Sequence, residues 1–175
     1  CSFMRKHLST SRYAAQLDEL YSTYNKREFV SPDPLQFLYA YPDVREREIV
    51  GLVAATLAYG RVAQILKSVQ TVLDSMEPSP RQFIESSSLS ELRRMYRQFK
   101  HRFTIGDELA NLFFAVKQII HEYGTLHACF ASFLRHETPT VLDALTGFIH
   151  TFRSASEVFP QTLLSLPEKG SACKR

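Results

Sequence analysis

Cysteine is scarce in this 175-residue chain and falls in no pattern: Cys1, Cys129 and Cys173 are odd in number and far apart. With no CxxC pair, neither a disulfide framework nor a Cys-rich zinc or iron–sulfur site is supported. A reducing, cytoplasmic setting is the default expectation. The six histidines show no HxxxH or HxH spacing, so no metal and no cofactor is expected from the residues present. No apolar run reaches the roughly 18 residues that a membrane-spanning helix needs, so no membrane partner is expected. The start Cys1-Ser2-Phe3-Met4-Arg5-Lys6 lacks the apolar stretch and cleavage site of a signal peptide, and Met4 reads as a natural start. P-loop, GxGxxG and local Ser/His/Asp or Cys/His signatures are absent. So are internal repeats and low-complexity tracts.

What is present is an apolar fraction of 45%, enough to bury a core in one domain spanning residues 1–175, with residues 1–10 read as a disordered arm. Net charge is only +3. Its distribution is more informative. Arg93, Arg94, Arg97, Lys100 and Arg102 lie close together, with Tyr96, Phe99 and His101 among them. Clustered cations interleaved with aromatics can meet a phosphate backbone, although a solvated helix face has the same composition. A second basic cluster, Lys169, Lys174 and Arg175, closes the chain.

The periodicity is helical almost throughout and predicts an all-α, multi-helix globular domain of about eight helices. Leu17, Leu20, Tyr21 and Tyr24 form one apolar stripe, preceded by capping serines from Ser9 to Ser11. Residues 28–42 are broken by Pro32, Pro34 and Pro42 and read as a loop anchored by Phe29, Phe37, Tyr39 and Tyr41. Residues 43–59 predict a central helix, apolar and buried on all sides from Ile49 to Ala58, with Gly60 as its C-cap. Asp43, Glu46 and Glu48 at its start read as a charge cluster that favours the helix dipole, not as a catalytic pair. Further helices are predicted over 62–76, 80–85, 88–99, 104–123, 127–135 and 141–152. Ser88 with Glu91 forms a capping box, Thr104 is the expected cap of the long helix, and Gly124 its stop. No strand is demanded. His101, beside Arg102, reads as a surface or half-buried histidine.

The end of the sequence, Pro167-Glu168-Lys169-Gly170-Ser171-Ala172-Cys173-Lys174-Arg175, is a glycine-bearing turn opening into a first helical turn. Two or three residues cannot sustain a helix, so the chain reads as ending inside a domain, its final helix cut after residue 175. A turn of this kind presents free N–H groups to a phosphate. A lysine among other cations can act as a nucleophile, although a surface lysine beside a helix start is the plainer reading.

Several segments together resemble a bacterial family of conserved hypothetical proteins known by a domain of unknown function. They are residues 24–29 (Tyr-Asn-Lys-Arg-Glu-Phe), 33–37 (Asp-Pro-Leu-Gln-Phe), 48–51 and 58–61 (Ala-Tyr-Gly-Arg). His101-Arg102-Phe103 with Asp107-Glu108-Leu109, residues 123–126, and Gly170 to Arg175 complete the set. That family in turn resembles the helix-hairpin-helix DNA glycosylases, the endonuclease III and 8-oxoguanine glycosylase superfamily. The resemblance implies a DNA partner and a link to DNA repair. It also implies site residues. Gly170 and Ser171 would hold a DNA phosphate through backbone amides. Lys174 would be the catalytic nucleophile that attacks C1′ of an extruded nucleotide and forms a Schiff base. Tyr59, Gly60 and Arg61 would stand where those enzymes wedge into the duplex. Apart from the resemblance, Arg94 and Arg97 of the basic cluster are the candidate DNA contacts of a nucleic-acid-binding face. Ala172 stands where the superfamily's hairpin has its second glycine, and the superfamily's catalytic aspartate falls beyond residue 175. The 175 residues are therefore expected to lack glycosylase activity on their own. A non-catalytic helical module that binds nucleic acid or a protein is the alternative.

Overall fold

The computed structural model describes residues 11–135, 140–158 and 163–167. Among them the chain runs through α1 (Ser11–Tyr24), two short 3-10 helices (Arg27–Phe29 and Pro34–Ala40), α2 (Val44–Thr56), α3 (Val62–Asp74), α4 (Pro80–Ser86) and α5 (Leu89–Met95). A hairpin of β1 (Lys100–His101) and β2 (Thr104–Ile105) follows, then α6 (Gly106–Tyr123), α7 (Leu126–Ser132) and α8 (Leu142–Ala155). The fold is mostly helical, as the periodicity predicts.

Helix α6 is the axis of the core. Leu109, Leu112, Phe113, Val116 and Ile119 are buried along it, and α4, α5, α7 and α8 pack around it. Helix α2 supplies a second buried row, Ile49, Val50, Val53 and Ala54, under the second 3-10 helix and against α3 and α4.

Local chemistry explains the boundaries. Ser79 accepts from Gln82 N at 3.0 Å and Pro80 fills the first helical position, where its missing N–H costs nothing. Ser88 and Glu91 close the expected capping box on α5. Gly124, at φ 82°, ends α6 with its N–H on the Ile120 carbonyl.

The acidic run at the start of α2 does more than complement its own dipole. Asp43 accepts from Arg45 N at 2.8 Å and caps α2. Glu46 accepts from Arg81 N at 2.9 Å and from the Ser79 hydroxyl, so it helps start α4. Glu48 accepts from His127 N at 3.0 Å in the first turn of α7. One helix thus supplies carboxylates to the exposed N–H groups of two others, each such bond worth about 1 kcal/mol.

Four expectations are corrected. Helix α2 is not buried on all sides: Ala55 is exposed and Gly51 half-buried, and Ala58, just past its end, is exposed. They open onto an apolar groove of about 520 Å³ whose far wall is Phe29, Pro32, Pro34 and Leu35. Helix α2 stops at Thr56 with Leu57 as its C-cap, so Gly60, at φ 113°, belongs to the following loop. The basic helix expected over 88–99 ends at Met95, and the next residues turn into the hairpin. Thr104 is not a cap but a buried residue of β2; α6 begins at Gly106, with the Glu108 carboxylate accepting from Ile105 N at 3.2 Å. Gly106 is required there because a Cβ would overlap the Tyr96 carbonyl. The arm at 1–10 lies outside the described residues.

Candidate nucleic-acid interface

The loop 59–61 and the hairpin are fastened by a buried polar clasp. His101 is fully buried, deeper than the surface or half-buried position expected of it. Its Nε2 lies 3.0 Å from the Tyr59 carbonyl and its Nδ1 2.9 Å from Ser68 Oγ. A carbonyl only accepts, so Nε2 carries the proton and donates. Nδ1 pairs with the Ser68 hydroxyl. Tyr59 answers in the other direction. Its hydroxyl lies 2.8 Å from the His101 carbonyl and 2.6 Å from Thr104 Oγ1. The carbonyl must accept, so the phenol donates to it and receives the Thr104 hydroxyl proton. The two rings meet edge to face at 4.7 Å. Polar groups of four residues are thereby paired with one another, which ties the loop to the hairpin in one corner.

Gly60 sits where the two segments touch. Its φ of 113° lies outside what side-chain-bearing residues adopt, and an added Cβ would meet Arg102 Cδ at 2.8 Å. Arg102 itself has φ 52°, the left-handed region, without being glycine. Its guanidinium lies over the Phe103 ring, 5.5 Å from the centroid.

The corner continues into α5. Arg94 and Arg97 are exposed and, with Arg93, Ile105 and Asp107, line a shallow recess of about 490 Å³. The three arginines are not equivalent. Arg93 is committed to Asp107 at 2.8 Å and to Glu157 at 3.1 Å. Behind the recess, Tyr96 is buried against Phe113, with ring centroids 5.4 Å apart, and its hydroxyl lies 2.7 Å from Ser75 Oγ. Burial pushes its pKa up to about 12, against the opposing pull of that hydrogen bond. At the other end of α5, the Ser88 backbone N–H and then its hydroxyl hold the Glu91 carboxyl below its ordinary range.

Of the residues singled out in the sequence, the structure gathers Tyr59, Gly60 and Arg61 beside the hairpin tip, and Arg94 and Arg97 beside the hairpin's second strand. Arg61 is the exposed N-cap residue of α3. Tyr59 is half-buried, with its hydroxyl turned inward to the clasp. Gly170, Ser171 and Lys174 lie outside the described residues. Phe103 and the clasp partners Ser68 and Thr104 were not singled out as site residues. No sequence signal was available for them, because each strand of the hairpin is only two residues long.

Fold and corner together define a mostly helical domain with a basic, aromatic-bearing edge. Residues 33–175 match the family described as protein of unknown function (DUF2400), and the chain belongs to that family. No curated protein and no solved structure matches it. Among the described residues, no helix is long and apolar enough to cross a membrane, and no group of three or more His, Cys, Asp and Glu could hold a metal ion.

Proposed function

We propose that this protein binds DNA through the corner built by loop 59–61, the hairpin and α5, and that it serves a DNA-repair-related role. The observation that carries the reading is the joining of loop and hairpin by the His101–Tyr59 clasp. It brings Gly60, the residue before Arg61, against Arg102, whose guanidinium lies over Phe103, while Arg94 and Arg97 line a recess with Ile105 of the second strand. Phosphate contacts from arginine supply affinity, and exposed aromatics meet bases. The order of elements, a helix with a buried row leading into Tyr59-Gly60-Arg61 and a long helix ended by Gly124, supports the likeness to helix-hairpin-helix glycosylases. In that reading the neutral Lys174 amine attacks C1′, the base leaves with the bonding electrons and takes up the proton that the amine loses, and the C1′–O4′ bond of the resulting aminal then breaks, with a proton taken up by O4′, to give an iminium that borohydride reduces.

Salt-dependent binding tests the DNA contact. The double substitution Arg94→Glu with Arg97→Glu is expected to weaken binding to a short duplex at least ten-fold at low salt and to flatten the slope of log affinity against log salt. Unchanged affinity and slope contradict it. Borohydride trapping on abasic DNA, with Lys174→Gln as control, tests the chemistry; a lysine-independent adduct sinks the Schiff-base role.

The alternative, a protein-interaction domain, has its own observation. Leu17, Leu20, Tyr21 and Tyr24 of α1 are all more than half exposed. An α1-dependent complex with no DNA binding by the isolated chain favours it.

A further inference from the structure

Two apolar surfaces of this chain stand uncovered among the described residues, and they meet at one point. The first is the α1 stripe. Tyr13, Leu17, Leu20, Tyr21 and Tyr24 are each between 53% and 68% exposed. Tyr13, Leu17, Leu20 and Tyr24 follow one another at steps of four, three and four, so they share one helix face. The second is the groove beside α2. Gly51, Ala54 and Ala55, with Ala58 just past the helix end, form its floor, and Phe29, Leu35 and Val62 are exposed along it. Residues this small let a second helix approach to about 8 Å. The two surfaces join where Tyr24 meets Phe29, with ring centroids 5.4 Å apart. Only Asn25 and Lys26 separate α1 from the 3-10 helix that carries Phe29. Although rooted at the groove wall, α1 does not lie in its own groove, because its stripe is in water.

We propose that the chain pairs with a second copy of itself, α1 of each copy lying in the α2 groove of the other. This goes beyond the DNA-binding reading and does not depend on it. The chain carries both halves of the contact, an apolar helix and an apolar slot. A two-fold axis lets each copy give one helix and receive one, so the assembly closes at two. Area favours the exchange. An aromatic side chain holds about 150–250 Å², so at these exposures one stripe still offers roughly 500 Å². Two helices bring about 1,000 Å² to the pair before the groove walls are counted, which is what a specific interface needs, and a single contact brings half of it. Tyr13, Tyr21 and Tyr24 suit a contact with a wet rim, since the ring packs while the hydroxyl stays hydrated. Charge is complementary as well. Asp18 and Glu19 adjoin the stripe, whereas Lys26 and Arg27 before Phe29 and Arg61 before Val62 outnumber Glu28 beside the groove. Asp33, in the groove lining, already accepts from Leu35 N at 2.8 Å. An interface of this size holds in the micromolar range, so the dilute chain is monomeric with both surfaces bare.

The experiment is sedimentation velocity of the 175-residue chain without DNA, over a dilution series from about 1 to about 300 µM. Wild type is expected to show a reversible monomer–dimer equilibrium with no larger species. Leu17→Ser with Tyr21→Ser is expected to raise the dissociation constant at least ten-fold, because it removes two of the five side chains that seat in the groove. Ala55→Gln places a long side chain in the groove from an exposed helical position and is expected to raise it as much. Ala58→Gln repeats that block from just outside the helix. The thermal midpoint of the dilute chain is the folding control for all three variants. A dimer that survives both groove substitutions but not the α1 pair joins stripe to stripe and overturns the groove assignment. A dimer indifferent to every substitution, a monomer at every concentration, or growth beyond two copies overturns the exchange. Each of these results leaves the DNA-binding reading standing.

Discussion

Two regions of this protein present aromatic and aliphatic side chains to water, and they do so for different reasons. In α1 an amphipathic stripe of Leu17, Leu20, Tyr21 and Tyr24 is exposed because the helix barely engages the rest of the chain. At the hairpin, Phe103 is exposed because its neighbours His101 and Thr104 are fully buried and bonded. Helix α1 has a surface without a scaffold, and the hairpin has a scaffold that creates a surface. Rigid presentation is what a recognition element needs, since ordering a mobile group on binding costs affinity.

The sharpest way to break this contrast is to remove the clasp. His101→Ala leaves a cavity and strands the Tyr59 carbonyl and the Ser68 hydroxyl, and is expected to cost about 3 kcal/mol in denaturant unfolding. A cost below about 1 kcal/mol would mean that the hairpin is no more rigidly held than α1. Next in size is alkaline pH. Tyr96 keeps its proton up to about pH 12 in the folded protein, whereas the unfolded chain ionises near 10. Its contribution is fully present below about pH 10 and is lost as pH rises through about 12, a fall of roughly 2–3 kcal/mol. Tyr96→Phe is expected to flatten that part of the stability profile, measured by urea unfolding at each pH. An unchanged profile would contradict the burial argument behind the α5 recess. Tyr59→Phe keeps the ring and deletes the hydroxyl that bridges to His101 and Thr104. A loss of about 1–2 kcal/mol is expected, with faster amide exchange in the hairpin. The smallest effect belongs to α1. Leu17→Ser with Tyr21→Ser is expected to change stability by less than about 0.5 kcal/mol, because these side chains bury little in the folded chain. A loss of several kcal/mol would show that α1 is docked in solution.

The helical frame was readable because its signals are local. Asp43 before α2, Ser79-Pro80 before α4, the Ser88–Glu91 box and Gly124 after α6 each act within a turn of the helix they delimit. The site was only half readable. The cations at Arg61, Arg94, Arg97 and Arg102 were visible as residues, but their adjacency depends on bonds between residues 42 and 45 positions apart. The hairpin escaped because strands of two residues carry no usable alternation, and its Thr104 imitated a helix cap. His101 could not be placed from sequence, since a histidine beside an arginine is ordinarily solvated and only the fold encloses it. The periodicity of α2 gave its buried row correctly but overstated its burial, because Ala55 and Ala58 look apolar whether they face a core or an open groove.

The most direct test of the central claim is an amide-resolved NMR titration of the 15N-labelled chain with a short duplex carrying one abasic analogue. The account predicts that shifts concentrate at Gly60, Arg61, Arg102 and Phe103, extend to Arg94 and Arg97, and leave Leu17 to Tyr24 unmoved. Shifts confined to α1, or no shifts at saturating DNA, would contradict it.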